Sequence, residues 1–212
     1  MMRFSLVMMV FLILTSCQNH SQSSVTVDFS RVQSQMHSAL SFSDLASVTV
    51  TLQAKCNNGT TSTAQHLQID TTHQSVTAEI DACGPSTLTL TATIPTPLTP
   101  NDPITALVGT AQADLKPDTD VEVIFSAELT GEVVVSFDPS ASITNCQLAF
   151  DRIAPPAGDE THFTVDAPGR VILPTGEYNY VCTDAQISTG VISVDAGTRT
   201  LLVLTATAYP NR

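Results

Sequence analysis

Ser47-Val48-Thr49-Val50-Thr51-Leu52 sets Val48, Val50 and Leu52 on one side of the chain and a hydroxyl at every position between. Successive side chains of an extended chain point to opposite faces, so this period of two, built on β-branched residues, marks a half-buried strand. The alternation recurs at Val25, Val27 and Phe29, in Val76-Thr77-Ala78-Glu79-Ile80, in Leu88-Thr89-Leu90-Thr91-Ala92 and in Val121-Glu122-Val123-Ile124-Phe125. It resumes after Gly131 at Val133, Val135 and Phe137, then at Cys146, Leu148 and Phe150. Phe163 and Val165, Val171 and Leu173, Tyr178, Tyr180 and Cys182, Val191 and Val194, and finally Leu201 to Ala206 continue the series. Val32, Met36 and Leu40 sit at helical spacing and allow a short helical turn within 30–44, but no segment of useful length has an amphipathic helical period. The fold class is all-β.

Turn residues punctuate the strands. Asn57-Asn58-Gly59 has the Asn-Gly pair that supplies the positive φ of a hairpin tip. Ile94-Pro95-Thr96-Pro97-Leu98-Thr99-Pro100-Asn101-Asp102-Pro103 cannot be a central strand, because proline removes ladder donors. The alternation has the same composition on both sides of it, so it is a loop within a domain. Pro155-Pro156-Ala157-Gly158-Asp159-Glu160 is a second loop, and Leu173-Pro174-Thr175-Gly176-Glu177-Tyr178 is a tight turn delivering the tyrosine strand.

The chain repeats itself once. Gly109 to Ala127 and Gly190 to Ala206 each give a strand, an acidic turn carrying Thr, and a further apolar strand, in that order. Each half also has an early and a late cysteine: Cys56 and Cys83, then Cys146 and Cys182. Two tandem antiparallel β-sandwich domains of about seven strands each follow, over residues 24–129 and 130–212. Four cysteines permit three connectivities. The internal similarity selects Cys56–Cys83 and Cys146–Cys182, and the absence of Cys-x-x-Cys spacing argues against a redox centre.

The arrangement is similar to the immunoglobulin-like and prealbumin-like (CnaB-type) modules of bacterial surface proteins. Leu-Pro-Thr-Gly-Glu-Tyr at 173–178, followed by Val-Asp-Ala-Gly-Thr at 194–198, is similar to the paired turns of the second group. Some modules of that group build a Lys–Asn isopeptide. The second domain has no lysine with which to form one, and Lys55, beside Cys56, is poorly placed in the first.

The chain begins with Arg3 and the apolar run Phe4 to Leu14, the parts of a secretory signal peptide. As a helix the run is about 17 Å long against the roughly 30 Å of a bilayer core, so it cannot span unaided. Leu14-Thr15-Ser16-Cys17 closes it and resembles the lipobox of bacterial lipoproteins. The resemblance implies cleavage before Cys17 and a thioether from its thiol to diacylglycerol. Two or three acyl chains such as palmitate then hold the protein stably on a membrane, where one would not. It also implies the bacterial cell envelope, and Gln18, where an Asp would favour the inner membrane, points to the outer membrane. Residues 1–17 are thus the signal peptide with the lipidated cysteine, and 18–23 a flexible polar tether.

The whole chain of 212 residues has 8 Lys plus Arg against 20 Asp plus Glu, a formal charge of −12 that becomes −13 when Arg3 leaves with the signal peptide. That balance repels nucleic acid and anionic headgroups, which excludes nucleic acid as a partner. Asp114, Asp118, Asp120 and Glu122 could gather oxygens near one turn, but they lack calcium-loop spacing and read as solvated turn chemistry. His66 with His73, and Glu160 with His162, lack a third ligand at metal-site spacing. Gly-x-Ser-x-Gly, His-Glu-x-x-His, P-loop and Gly-x-Gly-x-x-Gly are all missing, so neither an enzyme nor a cofactor is expected. Without Trp, and with Tyr178 and Tyr180 on the face of Cys182, a sugar-stacking platform is not evident either. The sequence therefore describes a noncatalytic, lipid-anchored envelope protein acting as a structural or interaction module. Its alternative is an envelope lipoprotein binding glycan, peptide or metal through loops at a sandwich tip. The partner in the envelope, protein or glycan, is not written in the sequence.

Overall fold

The computed structural model describes residues 21–28, 48–67, 75–96, 101–140, 146–182 and 189–205. The signal peptide, Cys17, residues 18–20 of the tether and the 30–44 segment lie outside them, as do Phe29, His73 and 97–100 of the proline-rich loop, while Gln22 and Ser23, expected in the tether, open the first strand with Ser23 buried. Every regular element among the described residues is a strand. The first half contributes β1 (Gln22–Asp28), β2 (Thr49–Cys56), β3 (Gln65–Leu67), β4 (Ser75–Asp81), β5 (Gly84–Ile94), β6 (Ile104–Leu115) and β7 (Asp120–Val123). The second contributes β8 (Ser126–Phe137), β9 (Cys146–Arg152), β10 (His162–Ala167), β11 (Gly169–Pro174), β12 (Gly176–Cys182), β13 (Gly190–Val194) and β14 (Arg199–Leu204).

Pairing repeats between the halves. In the first, β4-β1-β7 form one sheet and β3-β2-β5-β6 the other. In the second, β11 and β14 flank β8, while β10-β9-β12-β13 form the opposing sheet. Most pairs are antiparallel, but the first and last strands of each half run parallel: β1 with β7, and β8 with β14. Both parallel strands are launched by equivalent turns. Asp118 and Gly197 take positive φ values of 54° and 63°, and the Thr119 and Thr198 hydroxyls donate to the Lys116 and Asp195 carbonyls.

Inward positions alternate much as the sequence indicates. Val25, Val27, Val50, Leu52, Ile80, Leu88, Leu90 and Leu115 close the first core, and Val133, Leu148, Phe150, Leu173, Tyr178 and Leu204 the second. In β13 it is Ile192 and Val194 that turn inward. Val191, grouped with the core by sequence, is 61% exposed. The expected strand Val121–Phe125 ends at Val123, with Ile124 exposed and Phe125 returning to the core.

The outer face of β2, β5 and β6 is an array of hydroxyls. Thr49 opposes Thr93, Thr51 opposes Thr91, and Thr89 lies between Gln53 and Thr110. β-branched side chains suit such a pleated surface, and hydroxyls keep it wettable.

The two halves are not separate sheets joined by a loop. Ser126–Leu129 of β8 pair with β6, and Thr130–Val135 of the same strand pair with β11. One sheet, in the order β11-β8-β6-β5-β2-β3, therefore crosses from half to half. Ala127 and Leu129 pack on the first core, Val133 and Val135 in the second, all at odd positions of one uninterrupted alternation.

Candidate functional site

The acidic positions singled out from sequence do not converge into a ligand set. Asp114 pairs with Lys116 at 2.8 Å, which holds the lysine ammonium above its usual range. Asp118 occupies its turn, and Asp120 and Glu122 project outward from β7. Among the described residues no three His, Cys, Asp or Glu side chains are placed to hold a metal ion. An open groove of about 580 Å³ lies at this end of the first half, lined by Ser21, Gln22, Ser24, Glu79, Asp118 and Asp120 among others.

His66 lies within β3 and does not flank a strand, as the spacing suggested. His162 meets Asp151, its cross-strand neighbour, at 2.7 Å, so its partner is not Glu160 two residues away. Cys56 joins Cys83 and Cys146 joins Cys182, with Cα separations of 6.0 and 5.9 Å. Tyr178 is wholly buried and donates its hydroxyl to the Pro174 carbonyl at 2.7 Å. Burial pushes its pKa up to about 12. A tyrosine reaching back to the backbone upstream is the corner device of immunoglobulin-type sandwiches.

The polar side chains the fold does bring together lie at the joint between the halves. Glu132 of β8 is 3% exposed, and Arg199, opposite it on β14, donates from Nε and approaches with Nη2, each at 2.8 Å. Arg170 of β11 stands 3.7 Å from the same carboxylate. Asp102, in the turn before β6 of the first half, bridges both arginines. It accepts from Arg170 at 2.6 and 2.9 Å and from Arg199 at 2.8 Å. The Arg170 hydrogen bond, with that of Arg199, holds the Asp102 carboxyl down at about 2 against the desolvation that opposes it. Nearby, the Thr130 hydroxyl donates to the Thr105 carbonyl at 3.1 Å. Gly131 leaves no room for a side chain, since a Cβ there would stand 2.4 Å from the Asp195 carbonyl oxygen.

A second cluster ties the other flank of β8. Arg152, at the end of β9, donates to Asp159 at 3.1 Å and to the Thr175 carbonyl at 2.7 Å, and stands 4.0 Å from Glu128. Burial, reinforced by the like charge of Asp159, raises the Glu128 pKa. The Thr175 amide in turn donates to the Leu129 carbonyl.

Sequence reasoning singled out none of Asp102, Glu132, Arg152, Arg170 and Arg199. Its one usable signal was scarcity: arginines are few, and Arg170 and Glu132 each follow a glycine inside an apolar alternation. Two carboxylates held by two guanidiniums make a structural brace. No nucleophile lies among these groups, and the arginines that could bind an anion are already occupied.

No family model matches the chain, and no curated protein sequence matches it. Solved structures similar to it include adhesins and pilins. The Bacillus anthracis TIE protein is 11% identical, with a TM-score of 0.29 over 88% of this chain and 34% of its own, so the chain spans about a third of that protein. A proposed adhesin of Bacteroides thetaiotaomicron is 10% identical, with a TM-score of 0.30 over 82% of this chain and 68% of its own. The shaft pilin of Lactobacillus rhamnosus GG is 8% identical, with a TM-score of 0.28 over 90% of this chain and 99% of its own.

Proposed function

We propose that this chain is a noncatalytic, lipid-anchored envelope protein whose two β-sandwich domains, residues 24–129 and 130–212, serve as a rigid spacer in a bacterial envelope, on the outer membrane. The observation that carries the spacer reading is the joint. A strand shared by both halves, flanked by the Asp102–Arg170–Glu132–Arg199 brace, removes the free hinge that a flexible linker would provide. The first half supports it further, because its outer faces are dominated by threonine, serine and carboxylates, with Ile124 as its one large exposed apolar side chain among the described residues. The anchor reading rests on Leu14-Thr15-Ser16-Cys17.

The test is Cys17→Ser in the full chain, expressed in a bacterium fed a clickable palmitate analogue. The wild type should take up label, shorten by its leader and partition into detergent. The variant should remain unlabelled and uncleaved. Equal labelling and equal partitioning of the two forms defeats the anchor reading.

A further inference from the structure

We propose that the protein carries mechanical tension along its chain, with the parallel terminal pairs β1/β7 and β8/β14 as the two elements that resist it. This rests on the anchored-spacer reading, because it takes load to enter on the N-terminal side of β1 and to leave past Leu204.

Strand direction supplies the argument. In the first half β1 is the first strand and β7 the last, and they run parallel from Ser24 opposite Asp120 to Val27 opposite Val123. The end at which load enters β1 and the end at which it leaves β7 therefore lie at opposite ends of the ladder. Pulling slides the two strands past one another, and the evenly spaced hydrogen bonds of a parallel pair are stretched together. Had the first and last strands been antiparallel neighbours, both loaded ends would lie side by side and the bonds would open one after another.

The second half repeats the geometry over six positions, from Glu132 opposite Arg199 to Phe137 opposite Leu204. Its first rung also carries the buried Glu132–Arg199 ion pair. The first half reinforces its loaded end in its own way: the Ser24 amide donates to the Thr119 carbonyl and the Asp118 amide to the Gln22 carbonyl, each at 2.9 Å. Load passes between the halves with little slack, because only Ile124 and Phe125 separate β7 from β8.

The disulfides lie elsewhere. Cys56 and Cys146 are on β2 and β9, Cys182 is on β12, and Cys83 precedes β5. Neither bond bridges a terminal pair, so the yield point is left to the strands. Each bond instead limits how much chain is released once its half gives way.

Single-molecule force spectroscopy on the chain from Gln18 to Arg212 tests this. With handles at its two ends, two force peaks are expected. Reduction should lengthen one step by about 90 Å and the other by about 120 Å, for Cys separations of 27 and 36 residues at roughly 3.5 Å each. These increments identify which half produced which peak.

Moving the C-terminal handle to Ala196, in the turn before β14, brings both loaded points of the second half to the same end of β8/β14 and leaves the first half loaded as before. The second-half peak should then fall at least twofold while the first-half peak stays put. A second variant with the handle at exposed Asp195 should behave alike, which guards against a local folding defect at one site. Equal second-half forces in the two geometries, or end-to-end extension without peaks, overturns the proposal. Loss of lipid label at Cys17 would remove the anchor without touching the force ratio, and a ratio near one would remove the tension reading while leaving the anchor.

Discussion

Arg199→Ala should destabilise the protein more than Glu132→Ala, although the two residues share one ion pair. In the native joint the Glu132 carboxylate, its side chain 4% exposed, has Arg199 at 2.8 Å and Arg170 at 3.7 Å. Removing Arg199 leaves a buried carboxylate with only the more distant guanidinium. Breaking a fully buried pair in this way costs about 3–5 kcal/mol, and the surviving Arg170 contact places this case near the lower end, about 3 kcal/mol. Removing Glu132 leaves Arg199 in a different position. Its side chain is 22% exposed, and it keeps the Asp102 carboxylate at 2.8 Å and the Asp102 carbonyl at 3.2 Å. Only the charge-assisted bonds to Glu132 are lost, and water replaces part of them, so about 2 kcal/mol is expected. The double variant has no stranded charge and should cost about 3 kcal/mol, which gives a coupling near 2 kcal/mol. Urea unfolding at neutral pH, with the m-value unchanged across the set, measures all three. In thermal scans Arg199→Ala should lower the midpoint by about 6–12 °C. A larger loss for Glu132→Ala than for Arg199→Ala, or strict additivity in the double variant, would refute the argument that the buried carboxylate is what the arginines are there to hold.

Three further outcomes follow from other parts of the structure. Tyr178→Phe deletes the hydroxyl that satisfies the Pro174 carbonyl and should cost about 1–3 kcal/mol in urea titrations while the fold is retained; a change below about 0.3 kcal/mol would deny the corner its role. Asp102 is held at about 2 in the fold against 3.8 for the free side chain. Its contribution is thus fully present above pH 4 and fades as pH falls through 2. The urea midpoints of wild type and Asp102→Asn should accordingly differ by a constant amount from pH 5 to 7 and converge toward pH 2, and a gap that persists unchanged at pH 2 would contradict the ion bridges. Reduction removes loop closures at separations of 27 and 36 residues, worth roughly 3.5–4 kcal/mol each on the chain-entropy model. Calorimetry with and without reductant should show both halves losing stability, and unfolding curves that superimpose would argue that the closures contribute nothing.

The strands were legible because their signal is local. Thr49-Val50-Thr51-Leu52 declares its two faces within four residues, and the Asn58-Gly59 tip declares its turn, with Gly59 at a φ of 87°. The disulfide pairing was legible through the internal repeat, which stands in for distance. Val191 was misassigned because a run such as Val191-Ile192-Ser193-Val194 offers two possible phases, and only the Tyr178–Ile192 pairing settles it. The joint was illegible for a different reason. Asp102 and Arg199 are 97 positions apart, and Glu132 and Arg199 are 67 apart. Nothing in their local context distinguishes them from solvated charges. They become a brace only after the parallel β8/β14 pairing has set Arg199 beside Glu132 and the shared sheet has carried the 101–103 turn over both.

The strand common to both halves also imposes a phase. Ala127, Leu129, Val133 and Val135 enter two different cores at positions of one parity. A single residue inserted or deleted near Thr130 would exchange the faces of everything downstream on β8, sending Val133 and Val135 outward and Val134 inward. A two-residue change would preserve the faces and only displace the second half by about 7 Å along the strand. Length variation at this joint is therefore quantised. The chain can lengthen or shorten there in steps of two, and an odd step would demand either that one half be repacked or that a bulge absorb it, as the register shift between Ala92 and Thr93 does in the same sheet.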